Sequence, residues 1–290
     1  MSPTAKPPVE AAMEIEAGAR SDTGRVRENN EDSCLLASAL SLFVLSDGMG
    51  GLASGEVASR LTVETIVAHC RDAETNPSLP LIGERIPGVS DAANHLASAV
   101  RSANRVVHQA AQKHARAQDS IRAGMGATVV AARIHEGRLS LAHVGDSRAY
   151  RLRGDAFEQL TQDHSFVAEQ VRRGTLTAQE AGCSNLQNVL LRALGVEPHV
   201  DVDVVEELVL EGDTLLLCSD GLTRELSDPQ IAAVLHEASD AEGAAKFLVD
   251  LANQAGGGDN ITAIVLRCAP RRAGAFARVG RIAKLFKGSR

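Results

Sequence analysis

A chain of 290 residues, 44% hydrophobic and 23% charged, is long enough to bury one large core or two small ones. A net charge of −7, no Trp and 2% aromatics exclude a basic, base-stacking nucleic-acid platform. Five scattered cysteines with no Cys-x-x-Cys pair exclude a zinc ribbon or a disulfide framework; with no apolar run of about 18 residues and no secretory hydrophobic region, the expected location is the cytoplasm.

Residues 1–11 hold Pro3, Pro7 and Pro8 without periodicity, and a disordered segment is expected there. Met13–Arg20 alternates weakly, in the manner of an edge strand. Residues 21–33 form a polar loop that carries Arg27, Glu31 and Asp32 and runs straight into Cys34-Leu35-Leu36. Leu42–Leu45 reads as a buried strand, ending at Asp47 with Gly48, Gly50 and Gly51 behind it. If the two runs pair as a hairpin, Glu31 and Asp32 come beside Asp47. Arg27 then faces the same site, and a guanidinium there suits bidentate binding of phosphate. Residues 52–71 and 91–118 read as helices around a Pro- and Gly-bearing loop at 72–90. His95, His108 and His114 on the second helix lack a metal-ligand spacing and are assigned to its solvated face. Residues 128–132, 139–144 and 148–152 are short strands, broken at Glu136-Gly137 and Gly145-Asp146; their spacing predicts an antiparallel meander. The polar, interrupted helical stretch 164–197 reads as an inserted cap. A strand at 201–205, a central strand at 215–218 ending at Asp220, helices at 228–238 and 241–255, and a closing strand at 261–266 complete the body. Long helices between strands favour an α+β fold of layered sheets covered by helices.

Residues 270–290 differ from the rest. They hold seven basic residues and no acid, and Phe276, Val279, Ile282, Ala283 and Phe286 share one helical face. Taking those seven positive charges from the net −7 leaves −14 on the first 270 residues. A basic amphipathic tail of this kind suits an anionic membrane surface or a partner; docking on its own acidic body is the equal alternative.

The chemistry lies in the recurrence of aspartate at strand ends. Asp47, Asp146, Asp220 and Asp259 each stand beside glycine and against an apolar run. A single such residue is ordinarily a turn Asp. Several together are not explained by turn chemistry, and burying carboxylates is costly unless they are paired or bind a metal. Carboxylates with bare backbone carbonyls suit a hard cation, magnesium or manganese. Gly48-Met49-Gly50-Gly51-Leu52-Ala53 also fits a dinucleotide fingerprint, but Asp47 would face a pyrophosphate and no βαβ repeat follows.

The ordered set Arg27-x-x-x-Glu31-Asp32, Asp47-Gly48-x-Gly50-Gly51, Gly145-Asp146-Ser147-Arg148, Ser219-Asp220-Gly221 and Asp259-Asn260 resembles the metal-dependent protein phosphatase family (PPM, or type 2C), in its bacterial branch. The resemblance spans residues 12–269. It implies an antiparallel β-sandwich flanked by helices, with a flap at about 164–197. It implies hydrolysis of phosphoserine and phosphothreonine in proteins by a water activated between two Mn²⁺ or Mg²⁺ ions. By position, Asp47 would bridge the ions, Gly48 would offer its carbonyl to one, and Asp220 and Asp259 would hold the other. Glu31 and Asp32 would act through metal-bound waters, Asp146 would belong to a weaker third site, and Arg27 would hold the substrate phosphate. Met49 stands where many eukaryotic relatives carry His, which leaves a metal-bound water as the proton donor. Ser184, Asn185 and Gln187 in the flap, and Ala127, also depart from common family residues. Cys218 and Arg224 have the Cys-x₅-Arg spacing, but Cys218 sits inside an apolar strand and reads as a reduced core thiol, so no covalent mechanism is implied. The expected partners are phosphoprotein substrates and a bacterial Ser/Thr kinase, with the chain itself a monomer. The alternatives are a catalytically weak, phosphatase-like binding module and a partner-switching phosphatase acting on a small phosphoserine regulator.

Overall fold

The computed structural model describes residues 13–50, 54–76, 78–117 and 124–270. The expected disordered N-terminal segment and the basic tail from residue 271 lie outside the described residues.

Two antiparallel sheets stack face to face, each with helices on its outer side. The first sheet contains β1 (Met13–Asp22), β7 (Arg148–Arg153), β8 (Ala156–Gln159), β10 (Thr214–Cys218) and β11 (Ile261–Pro270), in the order β1-β11-β10-β7-β8. The second contains β2 (Asp32–Ala37), β3 (Leu42–Gly50), β5 (Val129–His135), β6 (Arg138–Val144) and β9 (Asp203–Leu208), in the order β2-β3-β5-β6-β9, with β4 (Met125–Ala127) pairing the end of β3. Helices α1 (Ser54–Thr75) and α2 (Asp91–Ala117) cover the second sheet; α5 (Asp220–Glu225), α6 (Asp228–Glu237) and α7 (Ala241–Ala255) cover the first.

The unbroken apolar runs follow from this layering. On β3, Leu42 and Val44 face α1 and α2, while Phe43 and Leu45 enter the layer between the sheets. On β10, Leu215 and Leu217 fill that same layer, and Leu216 and Cys218 pack on the helices. Side chains of a strand alternate between faces, so a strand covered on both sides must be apolar at every position. The strands at the sandwich centre have no solvent face, and that is why their ends mark sites.

Several expectations hold. The edge strand, the hairpin, the two long helices and the two late helices lie where the patterns place them, and every strand pair among the described residues is antiparallel, which removes the dinucleotide reading. The meander needs correction. β5 and β6 pair, but β7 leaves their sheet for the other and pairs β10 and β8. The switch is made at Gly145, whose φ of +111° suits glycine and where a Cβ would stand 2.6 Å from the Thr128 side chain.

The histidines of α2 also need correction, since they are not on a solvated face. His108 Nδ1 donates to Gly195 O at 2.9 Å, and His114 Nε2 lies 3.2 Å from Ser54 Oγ. With Asn104, which accepts from Gly195 N and donates to Glu197 O, they tie the helix to neighbouring loops. The stretch 164–197, expected to be a flap, holds two short helices, α3 (Phe166–Arg172) and α4 (Ala178–Gly182). No described helix is long and apolar enough to cross a membrane.

Candidate active site

Strand register brings the acids together. Asp32 opens β2 directly opposite Asp47 near the end of β3. Asp146 sits on the crossover between sheets, Asp220 at the first turn of α5 just beyond β10, and Asp259 just before β11. All of these except Asp32 line a cleft of about 200 Å³ at one end of the sandwich, together with Arg27, Glu31, Gly48, Met49 and Arg224. Asn188 and Leu190 of the flap close its far wall. Gln187 lines the adjoining groove, whereas Ser184 and Asn185 line neither. None of the five cysteines lines the cleft.

Hydroxyls and amides hold the first group of acids. Asp32 Oδ2 accepts from Thr262 Oγ1 at 2.6 Å and Ser219 Oγ at 2.8 Å. Asp47 is fixed through its backbone: its N–H donates to Thr128 Oγ1 at 3.1 Å, and its carbonyl accepts from Thr128 N at 2.8 Å. Thr128 Oγ1 in turn lies 2.7 Å from Ser147 Oγ, next to Asp146. Thr128 therefore supplies the threonine contact although Ala127 precedes it. The Glu31 carboxylate lies against the start of α1, where a Cβ on Gly55 would stand 2.6 Å from its Oε1. Gly48 lies so close to that helix that a Cβ would stand 2.0 Å from Gly55 O.

Asn260 secures the loop that carries Arg27. Its Nδ2 donates to Thr23 O and Asn29 O, and its Oδ1 accepts from Glu31 N. Arg27 Nη2 then reaches Asp259 Oδ2 at 2.9 Å, with the guanidinium half exposed toward the cleft. Arg224 holds Asp220 Oδ2 and approaches the same Asp259 oxygen at 3.3 Å.

The electrostatics are those of an acidic cluster only partly compensated by Arg27 and Arg224. Burial pushes Asp32 up to about 7, with the charges of Asp220 and Asp259 adding to it against the Thr262 and Ser219 hydroxyls. Burial, then Asp220 and Asp163, pushes Asp146 up to about 7. Asp47 is raised well above the carboxylate range by burial and by Asp32, Asp220, Asp146 and Asp259. Burial also raises Asp220, although Arg224 opposes it. Like charges crowded in low dielectric favour either protons or a bound cation.

Two buried oxygens decide the fit to a metal. Among the described residues Asp32 Oδ1 and Asp220 Oδ1 have no hydrogen-bond partner, although the second oxygen of each carboxylate is held. Buried acceptors are ordinarily satisfied, so two orphans in one cluster suit a cation. Among the described residues no three acidic, His or Cys side chains are gathered as a closed cage for one ion. That spread fits magnesium or manganese, which take one or two carboxylates and complete their shell with oxygen donors and water. The residues present fit divalent ions.

Comparison with known proteins agrees. The family profile of protein phosphatase 2C matches residues 23–254. The chain is 34% identical over 250 residues to a serine/threonine phosphatase of Listeria innocua, covering 85% of this chain and 93% of that one. It is 39% identical over 247 residues to the serine/threonine protein phosphatase PstP of Mycobacterium tuberculosis, covering 85% of this chain and 44% of the relative. The crystal structure of the PstP catalytic domain in complex with two manganese ions superposes with a TM-score of 0.73 at 35% identity, covering 89% of this chain and all of that domain.

Proposed function

The chain belongs to the protein phosphatase 2C family and is a metal-dependent protein serine/threonine phosphatase; from that premise we propose how its residues divide the work. Its cofactor is manganese or magnesium. Asp47 would be shared by two ions, with the Gly48 carbonyl on one side and Asp220 and Asp259 on the other. Glu31 and Asp32 would hold the outer positions, and Asp146 a weaker third. When bound, the ions neutralise phosphate charge and supply a nucleophile at neutral pH.

The chain's own groups do the rest. Arg27, half exposed and anchored on Asp259, would take the phosphate oxygens through its planar fork, which fixes the orientation of the phosphorus. The Asn260 bonds keep the Arg27 loop in place while substrate enters. The flap residues Asn188 and Leu190 would limit access of bulk water. The observation that supports this reading above the others is the pair of orphaned carboxylate oxygens in a five-aspartate cluster.

Substrates are phosphoproteins, and a bacterial Ser/Thr kinase is the proposed counterpart. The basic segment 271–290 is proposed as a contact for an anionic surface or a partner protein. The test is phosphate release from a phosphothreonine peptide with Mn²⁺ and again with EDTA. Release with Mn²⁺ and loss with EDTA is expected. No release with either Mn²⁺ or Mg²⁺ from folded protein would favour a binding module.

A further inference from the structure

Helix α5 brings a second arginine into the cleft that the reading above leaves without a task. Asp220 opens this helix and Arg224 follows four residues later, on the same face. The guanidinium holds Asp220 Oδ2 through Nη2 and reaches Asp259 Oδ2 through Nη1 at 3.3 Å. One cation thus spans both carboxylates assigned to the second ion. It is only 29% exposed, so its charge is screened less than that of a surface arginine. By contrast, among the described residues no arginine bonds Asp32, whose carboxylate accepts from the Ser219 and Thr262 hydroxyls.

A divalent ion drawn to Asp220 and Asp259 meets this positive charge at contact range, and attraction to the carboxylates is offset accordingly. We propose that Arg224 is the built-in counter-charge of the Asp220–Asp259 pair and competes with the divalent ion for it, so that this arginine sets the ion concentration at which the cleft fills. Asp220 Oδ1, buried and without a hydrogen-bond partner among the described residues, is left for the ion while Oδ2 stays on the guanidinium. Arg224 also lines the adjoining groove of about 770 Å³, which runs from Asp146 past Val167 to Gln187. The long side chain can therefore turn aside into open space when the ion takes its place. The proposal rests on the reading of these aspartates as an ion site.

Calorimetric titration of MnCl₂ into wild type, Arg224→Gln and Arg224→Lys separates the two ideas. Arg224→Gln should bind one of its ions about tenfold tighter or more, equivalent to about 1.4 kcal/mol or more. In EDTA its Tm should fall below wild type, because the carboxylates lose their counter-charge. Arg224→Lys keeps the charge but not the fork and should bind more tightly than wild type and less tightly than Arg224→Gln. A glutamine variant that binds Mn²⁺ no tighter than wild type overturns the proposal and makes Arg224 a simple buttress. If that variant does not fold without metal, the lysine variant decides: affinity no tighter than wild type overturns it. Wild-type protein that binds no Mn²⁺ would instead bring down the ion-site reading itself.

Discussion

Asp32 and Asp220 belong to the same acidic cluster, yet they are held by opposite means. Asp32 rests on two neutral hydroxyls, Ser219 and Thr262. Asp220 rests on the charged guanidinium of Arg224, and Asp259 beside it on Arg224 and Arg27. Hydroxyl donors fix a carboxylate without cancelling its charge, so Asp32, once its proton is lost, meets a cation with no competing positive group on it. Guanidinium donors cancel that charge and can be displaced by another cation. One side of the acidic cluster is therefore preorganised, and the other is exchangeable.

Removing Asp47, the acid proposed to be shared by the two ions, should have the largest effect. Asp47→Ala should lower turnover by about 10³-fold or more, as loss of a central electrostatic element does. Because Asp47 is pressed on by four other aspartates, the same variant in EDTA should melt at or above the wild-type temperature. Steady-state kinetics and a thermal melt check both halves.

The preorganised side can be broken through its hydroxyls. Thr262→Val leaves Asp32 Oδ2 with one donor and should cost about 1–2 kcal/mol in denaturant titration. Ser219→Ala should cost a similar amount, and each should weaken Mn²⁺ binding. A smaller loss, about 1 kcal/mol, is expected for Thr128→Val, which removes the acceptor of the Asp47 amide and keeps the side-chain volume.

The pH dependence sharpens the same contrast. In EDTA, Asp32 and Asp146, raised to about 7, keep protons in the folded chain that the unfolded chain has released above about pH 4. Their contribution to stability is full below pH ~4 and is lost as the pH rises to about 7. As proposed ligands, these acids must shed those protons to bind an ion, so the rise in Tm on adding Mn²⁺ should grow between pH 5.5 and pH 8. A rise that shrinks over that range would contradict the acidic-cluster account. The smallest expected effect is from deleting residues 271–290, which should leave hydrolysis of a small phosphate ester unchanged.

The contrast also marks what the sequence could reveal. The strand-end aspartates are legible because an apolar run that stops at a carboxylate is unusual in itself. The hairpin placed Asp32 opposite Asp47 because period-two alternation allows little freedom of register. Ser219, Thr262 and Thr128 were not legible. Each is an ordinary polar residue at a strand or helix edge, and its partner lies between 81 and 230 residues away. Arg224 was hidden for another reason: α5 is a six-residue helix, too short to leave a periodic signal. The sheet switch at Gly145 escaped because a crossover and a hairpin begin with the same Gly-Asp turn residues. The α2 histidines were misplaced because polar side chains at a helix margin can bond loops that only the fold brings near.

The most direct test of the central claim is the number of Mn²⁺ ions bound per chain at equilibrium by wild type and by Asp47→Ala. The account predicts two ions on the wild type and the loss of at least one, with turnover, from the variant. An Asp47→Ala protein that still binds two ions and still releases phosphate would contradict it.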